Sequence, residues 1–189
     1  MSHANRGKAW EQYLELFHAR YERQGRAVVI RTPPPMRILR SIRPGQFLAV
    51  YEKEGPPDYL LFCNGIAIML EAKECKSNRW GFQNLHAHQG RRLDDWQRQG
   101  GMGAILLRHH KSNTAWILPW ANLGPVWNRW LLQSKTGRRA APKTASIGEM
   151  DFMRLGIPFD QNGYLDQLLR LRLNLISEQE AGPERRPVC

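Results

Sequence analysis

The chain has 189 residues, 42% of them hydrophobic, which suits one folded domain with a real core rather than a disordered chain. Its net charge of +11 predicts a polyanionic partner, nucleic acid first, although a basic surface that serves only solubility is the alternative. Three cysteines without paired spacing, and the lack of an apolar signal region or a membrane-length span, predict a cytoplasmic protein without disulfides, structural zinc or membrane contact.

The first half of the chain predicts one helix followed by strands. Residues 5–24 form the helix, because apolar side chains recur every three or four residues along one stripe from Trp10 to Tyr21. Asn64-Gly65 is a strong signal for a two-residue hairpin turn. The predicted strands are 27–32, 47–53, 58–63 and 66–73.

The second half predicts helices around two further strands. Residues 85–99 read as a helix with Gln89 on its apolar stripe, and Ser146 with Glu149 forms a capping box before a helix that ends near Gly156. The remaining predicted elements are strands at 102–108 and 114–120, a helical segment at 121–133, a basic loop at 134–145 and a final helix at 164–176. This order of elements is typical of a mixed α/β domain.

The predicted hairpin brings two carboxylates together. A two-residue turn pairs Cys63 with Ile66, and the same register places Asp58 opposite Glu71 with their Cβ atoms ~5 Å apart. Lys73 shares the face of Glu71, because side chains alternate along a strand. Like charges across a ladder repel, so a divalent metal with oxygen ligands is the candidate that compensates them. The alternative is a solvated strand edge without a function.

Several segments, taken in order, resemble a known family. "PPDY" followed by "LEAKE" resembles the active-site signature of PD-(D/E)XK nucleases. The succession "NRGKAWEQYL", "RTPPP", "EAKECK", "LHAHQGRRLDDW" and "GGMGAILLR" is similar to RecU-type Holliday-junction resolvases, whose catalytic core archaeal Hjc resolvases share. The resemblance covers residues 5–130 and implies a restriction-endonuclease-like mixed sheet flanked by helices.

The resemblance also implies a metal site that uses Mg²⁺ or Mn²⁺. Asp58 and Glu71 match the family's metal ligands, the Ala72 carbonyl oxygen completes the set, and Glu11 matches the acidic residue of the first helix. The local pattern alone explains Glu11 equally well as part of a solvated helix face.

Two further residues match catalytic positions of the family. Lys73 matches the catalytic lysine, and Gln89 matches the glutamine of the helix after the catalytic strand, although a structural role for Gln89 fits the local pattern equally well. His86 and His88, at i and i+2 on a helix, are expected to point apart and to serve at the surface or as phosphate contacts.

Basic side chains are expected to neutralise DNA phosphates without reading sequence. Residues 97–148 contain no Asp or Glu but eight Lys or Arg, and Asn5 precedes the first helix as a further phosphate contact. A segment of 13 residues with three arginines stands where the family carries a longer stalk. The predicted DNA-binding residues are Arg6, Lys8, Arg37, Arg40, Arg43, Arg79, Arg91 and Arg92.

The resulting prediction is a metal-dependent endonuclease that resolves four-way DNA junctions by paired symmetric cuts. Two cuts need two active sites and therefore predict a homodimer. Two roles are open to a set of four tryptophans, the dimer interface or the hydrophobic core: Trp116, Trp120, Trp127 and Trp130. The alternatives are another PD-(D/E)XK nuclease of restriction or repair type, and a non-catalytic junction-binding protein. The predicted division is a nuclease core at 1–132, a basic linker at 133–145, a C-terminal helical extension at 146–177 and a disordered tail at 178–189.

Overall fold

A computed structural model describes residues 8–51, 54–135 and 145–180. The predicted first helix is present as α1, and the first half of the chain contains α1 (Lys8–Arg23), β1 (Val28–Arg31), β2 (Met36–Arg43), β3 (Gln46–Tyr51), β4 (Tyr59–Cys63) and β5 (Ile66–Cys75). The second half contains β6 (Arg79–Gly81), α2 (Ala87–Arg98), β7 (Met102–His109), β8 (Thr114–Pro119), α3 (Trp120–Lys135), β9 (Ser146–Gly148), α4 (Glu149–Leu155), β10 (Ile157–Phe159) and α5 (Leu165–Glu180).

One mixed sheet of six strands organises the molecule, in the order β1-β4-β5-β7-β8-β10. β5 and β7 run parallel and are connected through α2, whereas the other neighbouring pairs are antiparallel. Helices pack on both faces of the sheet. The predicted class, a mixed α/β sheet flanked by helices, is therefore confirmed.

Side-chain alternation along the central strands feeds two separate hydrophobic cores. In β7, Leu106 belongs to the core that contains the buried residues of α1 and α5, whereas Ile105 belongs to the core built with α2, α3 and α4. In β5, Leu70 lies in the first core and Met69 in the second. The odd-numbered side chains of β5 therefore face α2.

The predicted hairpin turn is confirmed. Asn64 and Gly65 both have positive φ, 50° and 76°, as a two-residue turn of the primed type requires. Cys63 pairs with Ile66, and the ladder continues without a shift as far as Tyr59 opposite Leu70. Extended by one residue, this register places Asp58 opposite Glu71.

The segment between β1 and β4 forms a second hairpin that stands apart from the main sheet. β2 and β3 pair only with each other, and nearly all of their side chains are exposed. The sequence predicted a strand only for the second arm. Two register shifts in the first arm break the period of two from which a strand can be read.

The predicted C-terminal helical extension contains two helices, α4 and α5, together with two short strands that were not predicted. β10 is an edge strand of the main sheet, paired with β8, and β9 pairs with β6. These three-residue strands are too short to show a period. The division into core, linker and extension stays a prediction, and the predicted basic loop lies for the most part outside the described residues.

Two boundaries in this region were predicted wrongly. Ser146 does not cap a helix, because it lies in β9, and α4 instead begins at Glu149 with the Asp151 side chain accepting the Gly148 backbone N–H at 3.1 Å. α5 extends to Glu180, three residues into the predicted disordered tail, whose remainder lies outside the described residues. None of the described helices combines the length and hydropathy needed to cross a membrane, and the cytoplasmic location stays a prediction.

Candidate active site

The predicted carboxylates meet where β4 begins and β5 passes beyond it. Glu71 is buried on the α2 side of β5, and Asp58 immediately precedes β4. The Asp58 side chain accepts the backbone N–H of Ala72 through Oδ2 at 2.8 Å. This bond fixes Asp58 against β5, the strand that carries both Glu71 and Lys73.

The two side chains that hold Glu71 both contact the same one of its two oxygens. Lys73 Nζ lies 2.6 Å from Glu71 Oε1, and Gln89 Nε2 donates to the same oxygen at 2.6 Å. Glu71 Oε2 is buried and has no hydrogen-bond partner among the described residues. Since a buried carboxylate oxygen without a partner is costly, the site has unfilled capacity for a further positive group.

Gln89 joins the site to the start of α2. Its Oε1 accepts the His86 backbone N–H at 3.1 Å and lies 3.3 Å from Lys73 Nζ. A backbone N–H can only donate, so this contact fixes the amide with Nε2 toward Glu71. The half-buried Gln89 therefore has two roles: it bonds the backbone at the start of α2, and it bonds the Glu71 carboxylate of the site.

The carboxylic acids of the site are shifted toward the protonated form. Burial raises the pKa of Glu71 to about 7, with Lys73 and the Asp58 backbone N–H lowering it and the charge of the Asp58 carboxylate raising it. Burial likewise raises the pKa of Asp58, opposed by its bond from Ala72. The pKa of Glu11 is raised by burial and by Asp58, against the lowering effect of Arg31. Three acids thus share one partly dehydrated region.

Glu11 reaches the cleft but is engaged by another side chain. Arg31 Nη2 lies 2.5 Å from Glu11 Oε2, a pairing that the sequence pattern did not indicate. In the part of the chain that the structure describes, no group of three or more His, Cys, Asp or Glu side chains is arranged to hold a metal ion. The geometry presents the carboxylate pair of Asp58 and Glu71, with Glu11 at the margin.

A cleft of about 640 Å³ opens over these residues and contains Glu11, Asp58, Glu71, Ala72, Lys73 and Gln89. It brings together all the predicted catalytic and metal-ligand residues. Lys76, exposed at the same cleft, was not singled out from the sequence. Its position directly after the strand that carries Lys73 is the signal that could have identified it.

The two histidines near Gln89 were predicted to point apart, and this is wrong. The rings of His86 and His88 stack with their centroids 5.6 Å apart and 6° between their planes. His86 is the N-cap of α2 and has an extended backbone, so helical spacing does not apply to it.

The three hairpin arginines share one face, which a three-residue spacing in a regular strand would not allow. The β2 register shifts between Ile38 and Arg40 and again between Ser41 and Arg43. Consequently Arg37, Arg40 and Arg43 pair with the alternate β3 residues Val50, Leu48 and Gln46. Directly paired residues project to the same side, so one face of the hairpin is basic. The other face carries the pairs Met36–Tyr51, Ile38–Ala49 and Ser41–Phe47.

The other predicted DNA contacts are distributed differently. Lys8 and Arg92 are exposed, and Arg91 lies 3.8 Å from Glu54. Arg79 is tied to β9 by Nε donating to Ser146 Oγ at 2.9 Å and Nη2 to the Ser146 carbonyl at 2.6 Å. Arg79 therefore braces the fold beside the cleft. Asn5 and Arg6 lie outside the described residues.

The tryptophans left open as interface or core belong to the core. Trp116, Trp120 and Trp127 are buried within the chain, and Trp130 packs against the same cluster. An exposed apolar surface lies instead on the edge strand β1 and its neighbour β4, where Val28 pairs with Phe62 and shares its face with Ile30.

Comparisons with known proteins identify the family of this chain. The family model of recombination protein U (RecU) matches residues 5–167. A Holliday junction resolvase RecU of Geobacillus thermodenitrificans is 33% identical over 148 residues, 75% of this chain and 72% of that protein. The one of Staphylococcus saprophyticus is 26% identical over 187 residues, 95% and 86% of the two chains.

A solved structure of Archaeoglobus fulgidus Hjc, a Holliday junction resolvase, covers 78% of this chain and 93% of its own, with a TM-score of 0.44 and 14% identity. That likeness is too distant to support a functional conclusion. The family model, by contrast, spans α1, the carboxylate pair, Lys73 and Gln89 within one continuous match. The chain belongs to the RecU family.

Proposed function

We propose that the protein is a metal-dependent endonuclease that resolves four-way DNA junctions by paired symmetric cuts. The observation that carries the proposal is the buried Glu71 Oε2, which lacks a partner beside Asp58 while Lys73 and Gln89 hold the other oxygen. Relatives that carry the name Holliday junction resolvase RecU support the substrate.

The residues present fit a divalent cation. Asp58 and Glu71 are oxygen donors of the kind that Mg²⁺ and Mn²⁺ prefer, with the Ala72 carbonyl and Glu11 as further candidate ligands. When bound, such a cation would lower the pKa of a water molecule, so that hydroxide is available to attack the phosphodiester. It would also supply positive charge to stabilise the phosphate oxygens. Because Mg²⁺ keeps several waters, two protein carboxylates suffice for a site of this type.

The chain's own groups would position the reacting phosphate. Lys73 Nζ, fixed against Glu71, presents an ammonium group to the charge that develops on the phosphate oxygens. Gln89 holds Glu71 from the α2 side, so the carboxylate keeps its unpartnered oxygen directed away from the amide. Asp58 is held by the Ala72 N–H and needs no rearrangement to act as a ligand.

The basic face of the β2–β3 hairpin is the proposed contact to the branched DNA. Arg37, Arg40 and Arg43 present three cations on one side of an exposed projection. The hairpin occupies the place of the family's stalk, so these arginines would take over its contact at the junction centre. Phosphate contacts of this kind give affinity without sequence preference.

We also propose a homodimer, because two symmetric cuts require two active sites. The exposed apolar face of β1 and β4, with Val28, Ile30 and Phe62 each more than half exposed, is the surface proposed for the interface. Exposed apolar patches on edge strands favour association with a second chain.

The test is a cleavage assay on a synthetic four-way junction with Mg²⁺. The wild-type protein is expected to nick opposite strands symmetrically, and Asp58→Asn to abolish cutting while junction binding persists. Asp95→Asn, the same change at an exposed position of α2, is the matched control and should cut like the wild type.

Each alternative function has its own outcome in this assay. Equal cutting of linear duplex and junction would assign the protein to the general nucleases of this fold. Junction binding without cutting in either Mg²⁺ or Mn²⁺ would make it a non-catalytic binding protein.

A further inference from the structure

Residues 76–78 connect β5, which carries Glu71 and Lys73, to β6. Lys76 and Ser77 line the catalytic cleft, and Lys76 is exposed there. Three of the four residues from Lys76 to Arg79 are charged or hydroxylated and all four are exposed, so burial of apolar side chains does not anchor this segment. Its position has to come from hydrogen bonds.

The Ser77 carbonyl oxygen receives those bonds from inside the protein. His109, at the end of β7, lies with Nε2 at 3.1 Å from Ser77 O, and Cys75 Sγ donates to the same oxygen at 3.1 Å. His109 is only 2% exposed, and its ring meets Phe152 edge-on at 5.4 Å. A buried imidazole is thus aimed at the backbone of the cleft wall.

A chain of hydrogen bonds behind His109 fixes which ring nitrogen donates. Ser112 Oγ lies 2.6 Å from His109 Nδ1 and 2.6 Å from Thr114 Oγ1, which accepts the Trp116 indole N–H at 2.9 Å. An indole N–H can only donate and a carbonyl can only accept. With the ring neutral, every hydrogen therefore points from β8 toward the cleft, and His109 Nε2–H donates to Ser77.

We propose that His109 is a positioning residue for DNA binding: it fixes the Ser77 carbonyl and so holds Lys76 at the cleft, where the ammonium group binds a phosphate beside the scissile bond. This inference rests on the proposed nuclease function. Lys76 directly precedes the anchored Ser77, so loss of the His109 bond leaves the Ser77 carbonyl with Cys75 Sγ alone and loosens the position of the cation. Neither His109 nor Lys76 hydrogen-bonds Asp58 or Glu71. We therefore expect the cleavage rate at saturating DNA to be independent of both residues.

The test compares two amides at position 109. In His109→Gln the side-chain nitrogen reaches the place of Nε2 and can still donate to Ser77. In His109→Asn the shorter amide reaches only the place of Nδ1, which preserves the contact with Ser112 and loses Ser77. The two variants match in charge and polarity and differ in which ring-nitrogen contact they keep, Ser77 in the Gln variant and Ser112 in the Asn variant.

The measurements are junction affinity without divalent metal, its salt dependence, and cleavage with metal. His109→Asn is expected to raise Kd and KM about tenfold, to leave kcat within about twofold, and to lower the slope of log K against log salt by about one. His109→Gln should stay within about twofold of the wild type. Lys76→Ala should reproduce the Asn variant, and the double variant should be no weaker than either.

Several results would overturn the inference. Equal affinity and salt slope in His109→Asn and the wild type would do so, as would additive losses in the double variant. A fall in Tm and in the active fraction, with Kd and slope of the folded protein unchanged, would reduce His109 to a structural residue.

If His109→Asn does not fold, Ser112→Ala takes its place. That change removes the hydroxyl that holds His109 Nδ1, and with it the ring's orientation toward Ser77, while Ser77 and the buried ring stay intact, so a partial loss of affinity with a lower salt slope is expected. An unchanged slope would again overturn the inference. A wild-type protein that neither binds nor cuts junctions would instead reject the proposed function itself, which keeps the two failures distinct.

Discussion

Gln89 and Lys73 bind the same oxygen of Glu71, Oε1, each at 2.6 Å, and leave Oε2 without a partner among the described residues. Because Gln89 also accepts the His86 backbone N–H, its amide cannot turn over without losing a bond. Gln89 therefore couples the start of α2 to the orientation of the Glu71 carboxylate in the cleft.

Replacing Gln89 tests this relationship. Gln89→Ala should slow single-turnover cleavage about 10- to 100-fold, the range typical for groups that orient a metal-binding carboxylate, because Lys73 is then the one side chain of the pair that still holds Glu71 Oε1. Junction affinity should change less than about twofold. Gln97→Ala, on an exposed turn of the same helix, is the control. An unchanged rate in Gln89→Ala would remove the residue from the site.

The hairpin of the site was predictable because its signals are local. Asn64-Gly65 dictates the turn, the turn fixes the register, and the register places Asp58 opposite Glu71. That register also predicted a metal held by Asp58 and Glu71, whereas the roles of Glu11, Ala72 and Gln89 came only from the family resemblance. Arg31 and Lys76 were missed, since an exposed cation carries no periodic signal and its partner is set by tertiary structure.

The β2–β3 hairpin shows a different limit of sequence analysis. A spacing of three residues predicts arginines on alternating faces of a strand, and only the two register shifts of β2 bring them onto one face. Nothing in the order of residues indicates these shifts. A cross-strand register must be observed before the basic face can be recognised.

The basic hairpin face can be tested by moving the charges instead of removing them. The variant Arg37→Ile/Ile38→Arg/Arg40→Ser/Ser41→Arg keeps the composition and transfers two cations to the opposite face. If Arg37 and Arg40 contact phosphates, the slope of log K against log salt should fall by about two. Fluorescence anisotropy with a labelled four-way junction measures it.

The matched comparison is Arg37→Gln/Arg40→Gln, which removes the same two charges. Both variants should lose the same salt dependence, and linear duplex should be affected less than the junction. A transferred-charge variant that binds with the wild-type slope would show that only net charge matters.

Gly90, next to Gln89 in α2, leaves room for the ring of Trp127. A Cβ at this position would lie 2.4 Å from two atoms of that buried ring. Gly90→Ala gains about 1 kcal/mol of helix propensity but costs about 1–3 kcal/mol in overpacking, so net destabilisation is expected. Urea unfolding followed by Trp fluorescence measures it.

A double variant separates steric from helical effects at this contact. Gly90→Ala should cost less stability in a Trp127→Phe background, because the smaller ring leaves space for the methyl group, and the difference is the coupling free energy. Equal costs in both backgrounds would show that the contact with Trp127 is not responsible.

His18 links the stability of the fold to pH. Its ring is buried against Tyr59 and shares a 2.6 Å hydrogen bond with the Tyr164 hydroxyl, while Glu15 Oε2 lies 4.0 Å from its other nitrogen. Burial lowers the pKa of His18 from 6.5 to about 4. The unfolded chain therefore binds more protons than the folded chain between these two values.

The free energy of unfolding should consequently fall as the pH is lowered from 6.5 to about 4, by up to about 3 kcal/mol from His18 alone, and this contribution is fully present above pH 6.5. His18→Gln cannot titrate, so its stability should depend less on pH in that window, while carboxylates affect both proteins alike. Urea unfolding at half-unit steps of pH measures the difference. Parallel pH profiles for the two proteins would mean that His18 titrates normally in the folded state.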